Sequence, residues 1–305
     1  LTIIGRPEDR SKEPWTVLRL IRWTSEYFAD KGIDTPRLDA EVLLADMLNL
    51  SRVQLYLNFD RPLRDDELAG FRERVRRRAA REPVAYIIRL KEFYSLDLEV
   101  GPAVLIPRPE TELLVETAVG FAGRRWPAGE KLRLLDLGVG SGAVTLALAS
   151  ELTQADIWAV DLSAAALDMA RRNARRHGFE GRIKFLQGDL FEALADETIR
   201  FHLMAANLPY VPRTAWDDMS PEVREYEPRL SLDGGEDGLA VIRRAVAQAG
   251  PWLESGGLML LEIWPTHGQK LRELAARHGY NQVEIIKDLA GRDRVAVLVK
   301  EKHGG

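Results

Sequence analysis

The stretch LRLLDLGVGSGAVTLALASEL, residues 132–152, decides the fold. Residues 132–138 read as a buried strand, with leucines interrupted by Arg133 and Asp136. Three glycines follow at alternate positions, Gly138, Gly140 and Gly142, and then an apolar, alanine-rich run suited to a helix. Strand, glycine turn and helix in that order open a parallel α/β unit. Glycine lets the backbone turn sharply and lets a ligand approach it closely.

Downstream, the same alternation continues. ADIWAVD is a second strand, followed by a helix over Ser163–His177; RIKFLQGD is the third strand and FHLMAAN the fourth. A helix around GLAVIRRAVAQAGPWL precedes the fifth strand, GGLMLLEI, and NQVEIIKD and DRVAVLVK close the chain. Such a chain builds a doubly wound, mostly parallel α/β sheet of seven strands, the last antiparallel, covered on both faces. Ligands of these sheets bind beyond the carboxyl ends of the strands, so functional residues are expected just after each strand.

Upstream, residues 1–82 read as a small helical domain. Val17, Leu20, Ile21, Tyr27 and Phe28 follow helical spacing, and Thr35 with Pro36 opens a second helix. RDDELAGFRERVRRRAARE carries acids in its first turn and bases in its last, as the helix dipole favours. Its arginines form either a solvated face or a docking surface for an acidic partner. Residues 83–109 read as a β-hairpin linker with a turn near Ser95, leaving 110–305 for the α/β domain.

Bulk properties exclude several functions. The 305 residues are 46% hydrophobic and 30% charged, enough for a sizeable core, and the net charge of −4 argues against a general nucleic-acid binder. With no cysteine, thiol nucleophiles, disulfides and cysteine zinc sites are ruled out. The five histidines show no metal-ligand spacing, so no metal is expected. No apolar run approaches a membrane span and the start lacks a signal-peptide pattern, so a cytoplasmic monomer is expected.

The strand ends carry the chemistry. The dinucleotide fingerprint places its third glycine one residue later, where this chain has Ala143, and no Gly-Lys-Ser/Thr follows. The closer spacing behind an acid is the usual loop of S-adenosylmethionine (SAM) methyltransferases. Gly138, Val139, Gly140, Ser141 and Gly142 are expected to cradle SAM, with Asp136 meeting its ammonium directly or through water. Asp161, after the second strand, can accept both hydroxyls of a ribose. After the third strand, Asp189 is the candidate acceptor for the adenine amine, with Leu190 and Phe191 beside the ring.

After the fourth strand comes NLPY, Asn207 to Tyr210. A planar NH2 group is a poor nucleophile because its lone pair is delocalised. Two acceptors aimed at its N–H bonds would hold it, favour pyramidal geometry and stabilise the positive charge that moves onto nitrogen. Asn207 offers its side-chain carbonyl and Leu208 its backbone carbonyl, which Pro209 helps to aim by favouring an extended residue before it. Tyr210 offers a flat face for the incoming group.

The chain resembles the release factor glutamine methyltransferases, the HemK/PrmC-like family. DAEVLLA, REPVAYI, KEFYSLDLEV, VLIPRPETELLVE, DLGVGSGAVTLALA, NLPY, EPRLSLDGGEDGL and KDLAGRDRV match it in order over essentially the whole chain. The resemblance implies methyl transfer from SAM to the side-chain amide nitrogen of glutamine in the Gly-Gly-Gln motif of class 1 peptide chain release factors. It also implies SAM near Gly138, Gly140, Gly142, Asp161 and Leu190, and Arg108 and Thr111 bordering the methionine end or the entrance. Four residues at three sites depart from the family pattern: Leu208 in place of a proline, Trp264 in place of a glycine, and Arg89-Leu90 in place of a small residue. Two other readings share parts of this pattern. An adenine amino-methyltransferase of DNA or RNA uses the same Asn-x-Pro-Tyr logic but needs a basic cleft. A non-catalytic SAM-binding adaptor would act through the arginine-rich helix.

Overall fold

The computed structural model describes residues 14–127, 129–195 and 197–301; the opening stretch read for a signal peptide, up to residue 13, and His303 lie outside them. The chain forms two compact units. The smaller takes residues up to Arg89 together with Pro221–Tyr226, and the larger takes the remainder.

The smaller unit is helical. In α1 (Val17–Asp30), Val17, Leu20, Ile21, Thr24 and Phe28 form one buried stripe, and the Thr16 side chain caps the start by accepting from Arg19 N. α2 (Pro36–Leu48) begins with proline in its first turn and ends at Asn49, whose φ of 54° is left-handed. A short α3 (Arg52–Leu57), opened by a capping box at Ser51, was not apparent from the sequence. α4 (Asp65–Ala79) has the acidic first turn and basic last turn that were expected. Its arginines are largely neutralised within the unit: Arg74 pairs with Asp46 at 2.9 Å, Arg76 with Glu73 at 2.6 Å and Arg77 with Glu82 at 2.5 Å. Arg78 is buried between Asp39, at 2.7 Å, and Glu222, at 2.9 Å.

α5 (Val84–Ile88) corrects the linker expectation. Residues 83–109 were expected to form a β-hairpin linker, but Pro83, at φ −57°, starts a single helical turn that buries Tyr86 and Ile87 with the helical unit. The hairpin proper is β1 (Leu90–Phe93) and β2 (Leu96–Glu99), and it belongs to the larger unit. Its two-residue turn, Tyr94-Ser95, has φ of 50° and 59°, the positive values of a tight hairpin turn.

The larger unit continues with α6 (Glu112–Arg125), β3 (Arg133–Leu137), α7 (Ala143–Glu151), β4 (Asp156–Asp161), α8 (Ala164–Arg176), β5 (Ile183–Gln187) and β6 (Phe201–Ala206). After the short α9 (Pro221–Tyr226), which joins the helical unit, come α10 (Ala240–Ala249), β7 (Leu253–Glu262), α11 (Gly268–Arg277), β8 (Tyr280–Lys287) and β9 (Asp293–Lys300). The sheet order is β5-β4-β3-β6-β7-β9-β8, and β9 runs antiparallel to both neighbours. This is the expected Rossmann-like methyltransferase sheet, with the last strand reversed. Strand alternation divides the core. Leu134 faces a cluster that includes Leu146 and Ala147 of α7, whereas Leu135 and Leu137 face one that includes Ile242 of α10 and Leu271 of α11. The order reverses between β3 and β6, so the ends of these two strands flank a crevice.

Candidate active site

A cavity of about 660 Å³ opens at this reversal. Gly138, Val139, Gly140 and Ser141 line it from the loop after β3. Gly138 has φ +79°, and a Cβ there would stand 3.3 Å from Leu208 Cδ2 and 3.4 Å from the Asn207 carbonyl. The first loop thus approaches the NLPY loop as only glycine allows. Gly140, at φ +56°, would direct a Cβ into space with no atom within 4 Å. Gly142 does not line the cavity; it precedes α7 and packs close to Ala170 of α8.

Asp161 closes the floor. Its two carboxylate oxygens accept from Gly140 N and Ser163 N, each at 2.8 Å. Burial raises its pKa, and these backbone amides pull it back down. Each oxygen keeps a lone pair for a further donor.

Asp136 departs from expectation. It shares the face of Leu134, and its Oδ2 accepts from the Thr145 hydroxyl of α7. The residue is 1% exposed and does not line the cavity, so it offers a cavity ligand no direct contact. Burial pushes its carboxyl up to about 7, against the pull of the Thr145 hydrogen bond.

Asp189 and Leu190 line the far wall. Asp189 Oδ2 accepts from Arg244 at 2.7 Å. Leu190 has φ +53°, a left-handed conformation that is costly for leucine and tends to cluster at ligand sites. Phe191 does not reach the cavity; it stacks on Trp252 with ring centroids 6.3 Å apart.

On the other side, Asn207, Leu208, Pro209 and Thr111 line the cavity. Asn207 Nδ2 donates to Thr111 Oγ1 at 3.2 Å. Tyr210 lies behind them, with its hydroxyl donating to Glu262 Oε1 at 2.7 Å and its ring 6.3 Å from that of Trp264. Burial, then the Glu262 charge, raises the Tyr210 pKa well above its ordinary value, so the phenol stays protonated. Arg108 is not at the cavity wall either. It pairs with Glu227, whose other oxygen accepts from Ile106 N at 3.1 Å.

Sequence reasoning missed Leu105 and Pro107, which line the cavity from the segment after the hairpin, and Arg213 and Arg244. It also passed over Glu262, although an acid at the carboxyl end of a strand is the signal that had singled out Asp161. Among the described residues no group of three acidic or histidine side chains is placed to hold a metal, and no helix is long and apolar enough to cross a membrane.

A reversed-order sheet with a glycine loop after β3, an acid after β4 and an Asn-x-Pro-Tyr turn after β6 defines a Rossmann-like methyltransferase. The PrmC N-terminal domain family matches residues 19–88, and the Methyltransferase domain family matches residues 134–226. A release factor glutamine methyltransferase of Geobacter sulfurreducens is 44% identical over 283 residues, covering 93% of this chain and 96% of the relative. One from Rhodopirellula baltica is 39% identical over 295 residues, covering 96% and 99%. The solved structure of a human methyltransferase 10 domain containing protein is similar in fold, with TM-score 0.52 and 17% identity over 69% of this chain and 90% of its own. The chain belongs to the release factor glutamine methyltransferase family.

Proposed function

We propose that the protein transfers the methyl group of SAM to the side-chain amide nitrogen of the glutamine in the Gly-Gly-Gln motif of class 1 peptide chain release factors. The observation that carries this reading is the engagement of Asn207. Its NH2 is held by Thr111, which leaves its carbonyl oxygen to accept from an incoming NH2 at the cavity.

The cavity suits SAM. Gly140 leaves open space at the cavity that a side chain would enter, and Asp161 has acceptor capacity left for a ribose diol. When bound, SAM supplies a methyl group made electrophilic by its sulfonium. Asp161 and the glycine loop hold the nucleoside on this reading, with Asp189 and Leu190 at the base. Asn207 Oδ1 and the Leu208 carbonyl take the two N–H bonds of the glutamine amide. They restrain the nitrogen and stabilise its growing positive charge beside a wall to which Leu208, Leu190 and Val139 contribute apolar side chains. No base is needed before transfer, because the extra proton leaves the nitrogen afterwards.

The test is transfer of labelled methyl from SAM to a class 1 release factor, compared with the same factor carrying Gln→Ala in the tripeptide. Label is expected on the first alone, and equal labelling of both would reject the assignment.

A further inference from the structure

We infer that Glu262 is a positioning residue: it anchors the Tyr210 hydroxyl and so fixes the turn that carries the Leu208 carbonyl, an inference that rests on the function proposed above. Tyr210 then serves the reaction through its hydroxyl, whereas its sequence position had suggested only a flat face for the incoming group.

The turn after β6 has few ties of its own. Pro209 has no N–H, and among the described residues no main-chain hydrogen bond holds Leu208 or Tyr210. Main-chain pairing resumes at Val211, which donates to the Leu232 carbonyl at 3.0 Å and accepts from Gly234 N at 3.0 Å. Before that point the ties are side chains. Asn207 is held by Thr111, and the Tyr210 hydroxyl donates to Glu262 Oε1 at 2.7 Å. β6 and β7 are parallel neighbours with Ala206 beside Leu261, so Glu262, the last residue of β7, lies level with the start of the turn. The chain thus leaves β6 and is caught again three residues later by the end of the adjacent strand. The Leu208 carbonyl lies between those two fixed points.

Glu262 is 1% exposed, and among the described residues the Tyr210 hydroxyl is its one hydrogen-bond donor, because Oε2 has no partner. Burying a carboxylate behind a single donor destabilises a fold, and proteins carry such violations at functional sites. A hydroxyl bonded to a carboxylate is held more strongly than one bonded to a neutral acceptor, which stiffens the turn. Without the bond, the Leu208 carbonyl can drift from the substrate N–H, and a displacement of about 1 Å at such a group lowers the rate by up to about 10²-fold. SAM lies against the glycine loop and Asp161 on the reading above, so its affinity depends little on this anchor.

The experiment compares wild type, Tyr210→Phe, Glu262→Met, Glu262→Gln and the Tyr210→Phe/Glu262→Met double variant in the release-factor assay, with SAM binding measured by calorimetry. Tyr210→Phe keeps the ring and its flat face and removes the hydroxyl alone. It should lower kcat by about 10- to 100-fold, with SAM affinity within about twofold of wild type. Glu262→Met keeps the side-chain length, removes the acceptor and should lower kcat to a similar extent. Glu262→Gln retains an oxygen for the hydroxyl and should be faster than Glu262→Met. The double variant should be no slower than the slower single variant, because both substitutions cut one bond. Wild-type kcat in Tyr210→Phe, losses that multiply in the double variant, or a Glu262→Gln no faster than Glu262→Met would each overturn the inference. Should the Glu262 variants fail to fold, Tyr210→Phe, which deletes one oxygen atom, decides alone. If wild type leaves the glutamine unlabelled, the proposed function fails separately, and the anchor is then read by NMR. The Asn207 side-chain amide signals should move in Tyr210→Phe, and unmoved signals overturn the anchor.

Discussion

Replacing Asp136 by asparagine should flatten the pH dependence of stability of the larger unit. The carboxyl is buried and its pKa in the folded chain is pushed up to about 7, from 3.8 in the unfolded one. The folded state therefore holds this proton more tightly. The stability contributed is complete below the unfolded pKa and is lost as pH rises through the folded value. The shift spans about 3 pH units, which at ~1.36 kcal/mol each bounds the effect near 4 kcal/mol. Most of it, about 2.5 kcal/mol, falls between about pH 5 and about pH 8, where the fold can be studied. Asparagine keeps an acceptor for Thr145 and adds an NH2 that needs a partner, a penalty independent of pH. The slope is thus the readout, and the absolute stability is not. Urea unfolding of ligand-free protein, followed by far-UV circular dichroism across that range, should show the two proteins diverging, with wild type losing ground as pH rises. Parallel curves would mean that Asp136 titrates as it does in water and that the burial argument is wrong. Thr145→Val should extend the wild-type decline to higher pH, because it removes a hydrogen bond that favours the charged form.

Asn207→Ala should cut kcat by about 10²- to 10³-fold while changing SAM affinity far less, as read by single-turnover labelling beside calorimetry; a matched loss in both would reject the acceptor role. Gly140→Ala places a methyl group in the cavity at φ +56° and should weaken SAM binding at least about tenfold, at a cost of about 1–2 kcal/mol in fold stability. Unchanged SAM affinity would put the ligand elsewhere. Arg78→Leu leaves the buried Asp39 without its cation and Glu222 paired with Arg81 alone, and should destabilise the helical unit by about 3–5 kcal/mol, measured by chemical denaturation. A loss below about 1 kcal/mol would show that water reaches the cluster.

The fold was legible because its cues are local and repeat. Each strand of the sheet ends in, or is followed at once by, a polar residue or glycine, so the parallel sheet and its switch point follow from alternation. The glycine loop, Asp161 and Asn207 were found by looking where such sheets bind ligands. The expected site residues that do not line the cavity are of two kinds. Asp136 was treated as a strand-end acid, yet its parity with Leu134 already put it on the face covered by α7, where Thr145 follows nine residues later. That signal was available in the sequence. Arg108 and Phe191 were not legible in the same way, because their partners, Glu227 and Trp252, lie 119 positions along the chain and in a distant turn. The helical turn of α5 also ran against β-prone local composition, with Pro83 and tertiary burial deciding the outcome.

The short helix Pro221–Tyr226 belongs to the helical unit although the chain on both sides of it belongs to the sheet unit. Neither half is therefore a continuous piece of polypeptide. A truncation that begins at the hairpin would carry Glu222 away from Arg78 and Arg81, and the excised N-terminal fragment would keep those cations with a half-buried acid's place left vacant. Fragments cut at the apparent boundary should thus be poorer folders than the intact chain, and recombining them in trans would have to thread a six-residue helix back into its seat.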